Sequence, residues 1–164
     1  MRILTVRQPW AWAIIHAGKD VENRVRNIAG DYRGPVAIHA GLREDTAARQ
    51  HPEIQRIARE TWWTTPDDML TGRLDQFGRI IGVVDLVSVH HESDPMFWCA
   101  QAQPDPDCER AVTYSFCSPW AQLGAHHLVL ARPRPLAEPI PYKGALGLRA
   151  LDEAATARVL EAIV

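Results

Sequence analysis

The hydrophobic positions of this chain fall into short stretches that change period several times. Residues 3–6 form an apolar run that predicts a strand. Pro9 suits the first turn of a helix, and Trp10, Ala13, Ile14 and Ala17 follow at i, i+3, i+4 and i+7 on one helical face. Gly18 is placed to end that helix in a left-handed conformation. Residues 20–26 and 36–40 predict two strands joined by a turn around Gly30 and Gly34. Residues 43–63 read as helical, with Ala47, Ile54, Ile57 and Ala58 as buried positions, and Pro52 after His51 splits the segment. A loop over 64–76 follows, then a strand rich in Ile and Val over 79–89. Residues 91–120 read as a long loop rich in Pro and Asp. The rest predicts a strand at 127–131, an extended or turned stretch at 132–141 with four prolines, and a short strand at 146–148. A C-terminal helix capped by Asp152 ends near Ile163. There are no internal repeats. Short, scattered strands with a few helices predict an α+β domain: a small curled sheet or barrel with helices packed on it.

Length and composition sharpen this picture. With 164 residues and 46% apolar content, the chain fits one ordered domain with a substantial core. No apolar run approaches the roughly 20 residues that span a bilayer. The N-terminus reads as neither a signal nor a transit peptide, so no membrane association and a cytoplasmic location are expected. Three cysteines without close pairing do not form a disulfide framework. A formal net charge of −2 argues against indiscriminate nucleic-acid coating, yet the charge is uneven. Six basic residues face three acids between Arg2 and Arg33, whereas residues 92–109 hold five acids and no Lys or Arg. Against 16 Arg the chain has only two Lys, Lys19 and Lys143. A Lys kept in an Arg-rich chain marks a position where a compact ammonium is needed.

The chemistry concentrates at residues 18–24. On a regular strand Glu22 and Arg24 share a face, and Lys19 joins them only if the chain turns at Gly18. By itself such a charge run is more often a solvated ladder of ion pairs. Asp85 changes the weighing, because it sits on an otherwise apolar alternation with Ile81, Val83, Val87 and Val89. A carboxylate there needs a partner, for which Lys19 or Arg24 is the natural candidate. Trp10 belongs to the apolar helix face and reads as core, which leaves Trp12 as the stacking candidate for a base. Cys99, Cys108 and Cys117 recur every nine residues between two histidine pairs, His90 and His91, and His126 and His127. Without a Cys-x-x-Cys pair this is a weak zinc signal, so buried thiols and ordinary loop histidines are the default and neither metal nor cofactor is assigned.

Taken together these stretches resemble the ASCH domain family, a branch of the PUA-like superfamily. The runs are Leu4-Thr5-Val6-Arg7-Gln8-Pro9-Trp10-Ala11, then Lys19-x-x-Glu22-x-Arg24, then Tyr32-Arg33-Gly34-Pro35-Val36-Ala37-Ile38-His39-Ala40. Supporting runs are Gly82-Val83-Val84-Asp85-Leu86-Val87, His127-Leu128-Val129-Leu130 and Lys143-Gly144-Ala145-Leu146-Gly147-Leu148. The family motif begins with a glycine where this chain has Ala17, with Gly18 directly before Lys19.

The resemblance implies a single domain over residues 1–164, a PUA-like small β-barrel with flanking helices, with a helical insertion at about 43–77. It implies a cleft beside the motif and binding of RNA, of single-stranded nucleic acid or of a modified base or nucleoside. Arg7, Gln8, Trp12, Lys19, Glu22, Arg24 and Arg33 are then the ligand-binding candidates. The alternative is hydrolysis of a 4-acetylcytidine-type nucleoside or of RNA, with Lys19, Glu22 and Asp85 as catalytic candidates. Related amidohydrolases carry Thr where this chain has Glu22, so binding ranks above catalysis. A third reading makes the motif a fold-stabilising ion-pair cluster.

Overall fold

The computed structural model describes residues 1–62, 76–91, 93, 99, 101–105, 108–115 and 117–164. Its framework is a six-stranded mixed sheet. In chain order the elements are β1 (Arg2–Gln8), α1 (Trp10–His16), β2 (Val21–Arg24), β3 (Gly34–Glu44), a 3-10 turn (Thr46–Gln50) and α2 (Pro52–Trp62). Then come β4 (Arg79–His91), β5 (Gln101–Asp105), β6 (Cys108–Ser115), β7 (His126–Pro141), β8 (Leu148–Ala150) and α3 (Glu153–Glu161). The strand order is β2-β7-β4-β3-β1-β8, and β5 pairs with β6 in a separate two-stranded sheet. Only β1 and β3 run parallel; the other pairs are antiparallel. The fold is therefore α+β, and among the described residues the sheet is open, with β2 and β8 at its edges.

Both faces of the sheet are covered, which explains the nearly continuous apolar runs of the central strands. Leu4, Val6, Val36, Ile38, Val84 and Leu86 pack against Ile14 and Ile15 of α1. Ile3, Ala37, Ile80 and Val83 pack instead with Ala155 and Val159 of α3. Alternation holds in β1 and β3 but slips in β4, where Ile81 joins the α1 side and Val83 the α3 side. Register shifts between Ile80 and Gly82 and between Ile38 and His39 account for the change of phase. At Gly82 a Cβ would lie 2.6 Å from Ile15 Cδ1 and 2.8 Å from the Arg134 carbonyl oxygen. Glycine at this position lets α1 approach the sheet.

Several elements differ from the sequence expectation. Residues 91–120 are not one loop: β4 runs to His91, and β5 and β6 form a hairpin. Residues 111–114, Ala-Val-Thr-Tyr, carry the strand propensity, which the Pro- and Asp-rich flanks obscured. The four prolines of 132–141 lie within β7, where β2 no longer runs alongside. A strand stretch with one unpaired edge tolerates residues that cannot donate. The final strand begins at Leu148 rather than at 146. Over the expected insertion, residues 43 and 44 still belong to β3, the 3-10 turn and α2 follow, and the loop expected at 64–76 lies outside the described residues except for Gln76. Asp152 caps α3 as expected, accepting from the Ala155 amide at 2.7 Å. Among the described residues no helix is long and apolar enough to cross a membrane.

Candidate functional site

The turn between α1 and β2 decides where Lys19 goes. Gly18 has φ +69°, the left-handed region that glycine occupies without strain. The Lys19 amide then bonds back to the Ala13 carbonyl at 3.0 Å, folding the side chain in beneath the helix. Lys19 is 3% exposed. Its Nζ donates to the Val21 carbonyl and lies 3.7 Å from Glu22 Oε2. Glu22 Oε1 is 3.0 Å from Arg24 Nη2, and that guanidinium also donates to the Thr5 carbonyl at 3.0 Å. One carboxylate thus serves two cations. Arg24 Nε is buried and has no hydrogen-bond partner among the described residues.

Two indoles flank the ammonium. Lys19 Nζ lies 5.3 Å from the Trp10 ring centroid and 5.7 Å from that of Trp120. Both distances are within cation–π range. The two rings meet edge to face, and His51 stacks on Trp120 at 5.2 Å. Trp10 Nε1 donates to Asp45 at 3.0 Å. Trp120 is held through its backbone: its carbonyl accepts from Asn23 Nδ2 of β2 at 2.8 Å and its amide donates to Ser118 Oγ at 3.1 Å. Burial pushes the Lys19 pKa down from its ordinary value, opposed by the attraction of Glu22 and Asp20. The His51 pKa is also lowered, first by burial and then by the Lys19 charge.

Lys19, Glu22, Arg24, Asp45 and the two indoles line a cleft of about 880 Å³. Its wall carries the basic side chains Arg7, Lys19, Arg24, Arg43 and Lys143 against the acids Glu22 and Asp45. In a chain of net charge −2, five cations facing two anions make a local positive field. His39 borders the cleft, 2% exposed, with Nε2 donating to the Tyr142 carbonyl at 3.0 Å. Burial lowers its pKa, and the Tyr142 carbonyl partly restores it. Gly144 closes over this ring, where a Cβ would lie 2.5 Å from His39 Cε1.

The sequence candidates separate into two groups. Arg7, Lys19, Glu22 and Arg24 come together in the cleft. Gln8, Trp12, Arg33 and Asp85 are not among its lining residues. Gln8 is 1% exposed and its Oε1 accepts from the Trp12 amide at 3.0 Å, a contact that supports the start of α1. Trp12 is buried with Ala13, Val21 and Trp120, so the roles of the two helix tryptophans are exchanged: Trp10 reaches the cleft and Trp12 fills the core. Arg33 folds onto the carbonyls of Gly30 and Tyr32. Asp85 pairs with neither Lys19 nor Arg24. It faces Arg132 at 2.5 Å and Arg134 at 2.7 Å. The register shift between Val83 and Asp85 admits one extra residue into β7, and Arg132 takes φ +51°, which brings both guanidiniums to one carboxylate.

Sequence reasoning missed Trp120, Arg43 and Gln122 as wall residues, because their segments are far from the motif in sequence, and it passed over Asn23, which sits at a variable position inside the motif. A signal for Lys143 existed: both lysines of this Arg-rich chain line the cleft. A second convergence lies where β4 and β7 pair, at His90 and His127. His90, Cys99, Cys117 and His127 bring one ligand atom each within 4.8 Å of one another. His91 and His126 meet separately, ring to ring at 4.8 Å. The Cys108 side chain lies outside the described residues. Neither a family model nor a curated protein matches the chain.

Proposed function

We propose that the cleft binds single-stranded nucleic acid, RNA in the first place, by enclosing one base or modified base. The observation that carries this reading is the buried Lys19 ammonium between Trp10 and Trp120 in a cleft edged by Arg7, Arg43 and Lys143. Indole surface stacks on a base face, and basic side chains track phosphates. Glu22 accepts from an exocyclic amino group, and Asn23, Gln122 and Arg24 offer further polar contacts to a base edge. A volume of about 880 Å³ accommodates a nucleotide. Placement of Lys19, Glu22 and Arg24 together beside α1 also supports membership of the ASCH family, and the closed PUA-like barrel belongs to the same proposal.

Fluorescence anisotropy with short labelled RNA and DNA strands tests the reading. Affinity is expected to fall with salt, with a log–log slope near −0.7 per phosphate contacted. Lys143→Ala flattens that slope, and Lys19→Met abolishes binding while the fold persists. Binding that is absent, or indifferent to salt, overturns the proposal.

One observation favours hydrolysis as a second reading. An ammonium whose pKa is lowered by burial, 3.7 Å from a carboxylate, is equipped to exchange a proton. In that case Lys19 and Glu22 carry the chemistry on an acetylated cytidine or an RNA. Asp85, committed to Arg132 and Arg134, positions structure instead. Product formation that survives Lys19→Met excludes this mechanism.

A further inference from the structure

We propose that His90, Cys99, Cys117 and His127 form a structural zinc site that ties the β5–β6 hairpin to the main sheet. Two sulfurs and two imidazoles are the donor set that zinc takes in closed tetrahedral sites. The four ligand atoms lie within 4.8 Å of one another. With Zn–S near 2.3 Å and Zn–N near 2.0–2.1 Å, tetrahedral ligand atoms sit about 3.3–3.8 Å apart. Cys117 Sγ is 3.6 Å from His127 Nδ1, and Cys99 Sγ is 3.0 Å from the same nitrogen. The spread therefore needs only side-chain adjustments to close on an ion.

The surroundings of His127 make the case more specific. Its Nε2 donates to the Gln122 carbonyl at 2.9 Å, which fixes the proton on Nε2 and turns the Nδ1 lone pair toward both sulfurs. Zinc-binding histidines are oriented by this kind of outer contact. His127 is 0% exposed and His90 6%, and the two stand opposite each other in the β4–β7 register. Cys99 is buried, while Cys117 opens to solvent and gives the ion an entry path.

Topology supplies the reason for a site here. Cys99 precedes β5 and Cys117 follows β6, so the two sulfurs mark both roots of the hairpin. The histidines come from adjacent strands of the main sheet. An ion held by all four closes the excursion at its base, and its binding energy becomes folding energy. Binding converts two thiols into thiolates and releases both protons to solvent.

The experiment uses the full chain and needs no substrate. Elemental analysis of the purified protein is expected to find about one zinc per chain. Replacement by cobalt(II) is expected to give intense visible bands of a tetrahedral ion and near-ultraviolet thiolate charge transfer. Cys117→Ser should lower the charge-transfer band by about half, as one of two thiolate bonds is lost. Because a variant can fail to fold, the wild-type protein supplies the second measurement. Alkylation of Cys117, read by peptide mass spectrometry, should be blocked by stoichiometric zinc and restored by a chelator. Weak, octahedral cobalt bands, Cys117 alkylation indifferent to zinc, or a Cys99–Cys117 disulfide in the purified protein would each overturn the proposal.

Discussion

Replacing Lys19 by Met separates a binding site from a scaffold. The side chains are similar in length, so the substitution removes the charge and leaves the packing between Trp10 and Trp120. Three attractions are lost: the bond to the Val21 carbonyl, the Glu22 carboxylate at 3.7 Å and the two indole contacts. At an effective dielectric constant of about 20 the Glu22 attraction is roughly 4 kcal/mol, and the desolvation of a buried ammonium is also several kcal/mol. The direction of the Lys19 pKa decides between these opposing quantities. It is lowered, so desolvation outweighs the attractions and the folded protein disfavours the ammonium. Removing the charge therefore relieves strain. What remains lost is the hydrogen bond of a neutral amine, about 1 kcal/mol. Glu22 is not orphaned, because Arg24 stays 3.0 Å away.

The expected net change is within about 1 kcal/mol, a Tm shift of no more than about 2–4 °C for a chain of this size. Urea denaturation followed by far-ultraviolet circular dichroism measures it. A pH series adds a sign. A base whose pKa is lower in the folded state than in the unfolded one leaves the unfolded chain with more bound protons between those two values. Wild-type stability should therefore rise with pH toward 10.5, the ordinary lysine value, and Lys19→Met should lack that component. The variant's advantage is greatest at neutral pH and shrinks in alkali. A loss above about 3 kcal/mol at neutral pH, the size expected on breaking a buried ion pair, refutes this reasoning. So does a gap that moves the other way with pH. Either result makes the motif a fold-stabilising cluster.

Gly82→Ala should destabilise by about 1–3 kcal/mol, read as a lower urea midpoint at constant m, because the 2.8 Å clash with the Arg134 carbonyl is with backbone and cannot be relieved by a rotamer. Asp85→Asn should cost about 1–2 kcal/mol, since Arg132 is 76% and Arg134 36% exposed and water screens both, and should leave oligonucleotide affinity unchanged in anisotropy. His51 is held neutral by burial and by Lys19, so tryptophan emission should titrate with a midpoint below 6.5 in the wild type and lose that transition in His51→Gln. The unfolded chain binds more protons between the folded pKa of His51 and 6.5, so this residue's contribution to stability falls as pH drops through that window.

What was legible in the sequence was mostly local. The helix that starts after Pro9, the left-handed role of Gly18 and the Asp152 cap depend on near neighbours, and the structure has all three. The turn at Gly18 joined Lys19 to Glu22 and Arg24, as the strand periodicity required. The exchange of Trp10 and Trp12 shows where periodicity stops. Alpha-helix α1 is only seven residues long and is buried on several sides, so Ala11 through Ile15 are all covered and no single apolar face exists to read. For Asp85 the expectation of a paired carboxylate was physical, but its partners depend on a bulge in β7, which residue order does not announce. Residues 91–120 misled for a similar reason: a hairpin standing apart from the main sheet has no obligatory alternation to display.

The two convergences of polar side chains share one strand and one turn. Asn23 lies between Glu22 and Arg24 on β2, and its side chain holds the Trp120 carbonyl at 2.8 Å and the Gln122 amide at 3.0 Å. Gln122 in turn accepts from His127, and Cys117 and Ser118 open the same turn. Ser118 donates to Asp20 at 2.5 Å, next to Lys19. The segment from Cys117 to Gln122 is thus fastened at both ends between the Cys–His cluster and the residues of β2 and its preceding turn. Trp120 stands between those fastenings and forms one wall around the ammonium. An indole contributes stacking energy only if its orientation is fixed before the ligand arrives. Short hydrogen bonds from β2 set that orientation directly, and an ion at Cys117 would limit the turn's remaining freedom. This gives the motif a second role besides presenting charge: Lys19, Glu22 and Arg24 point into the cleft while the intervening Asn23 places the aromatic wall opposite them.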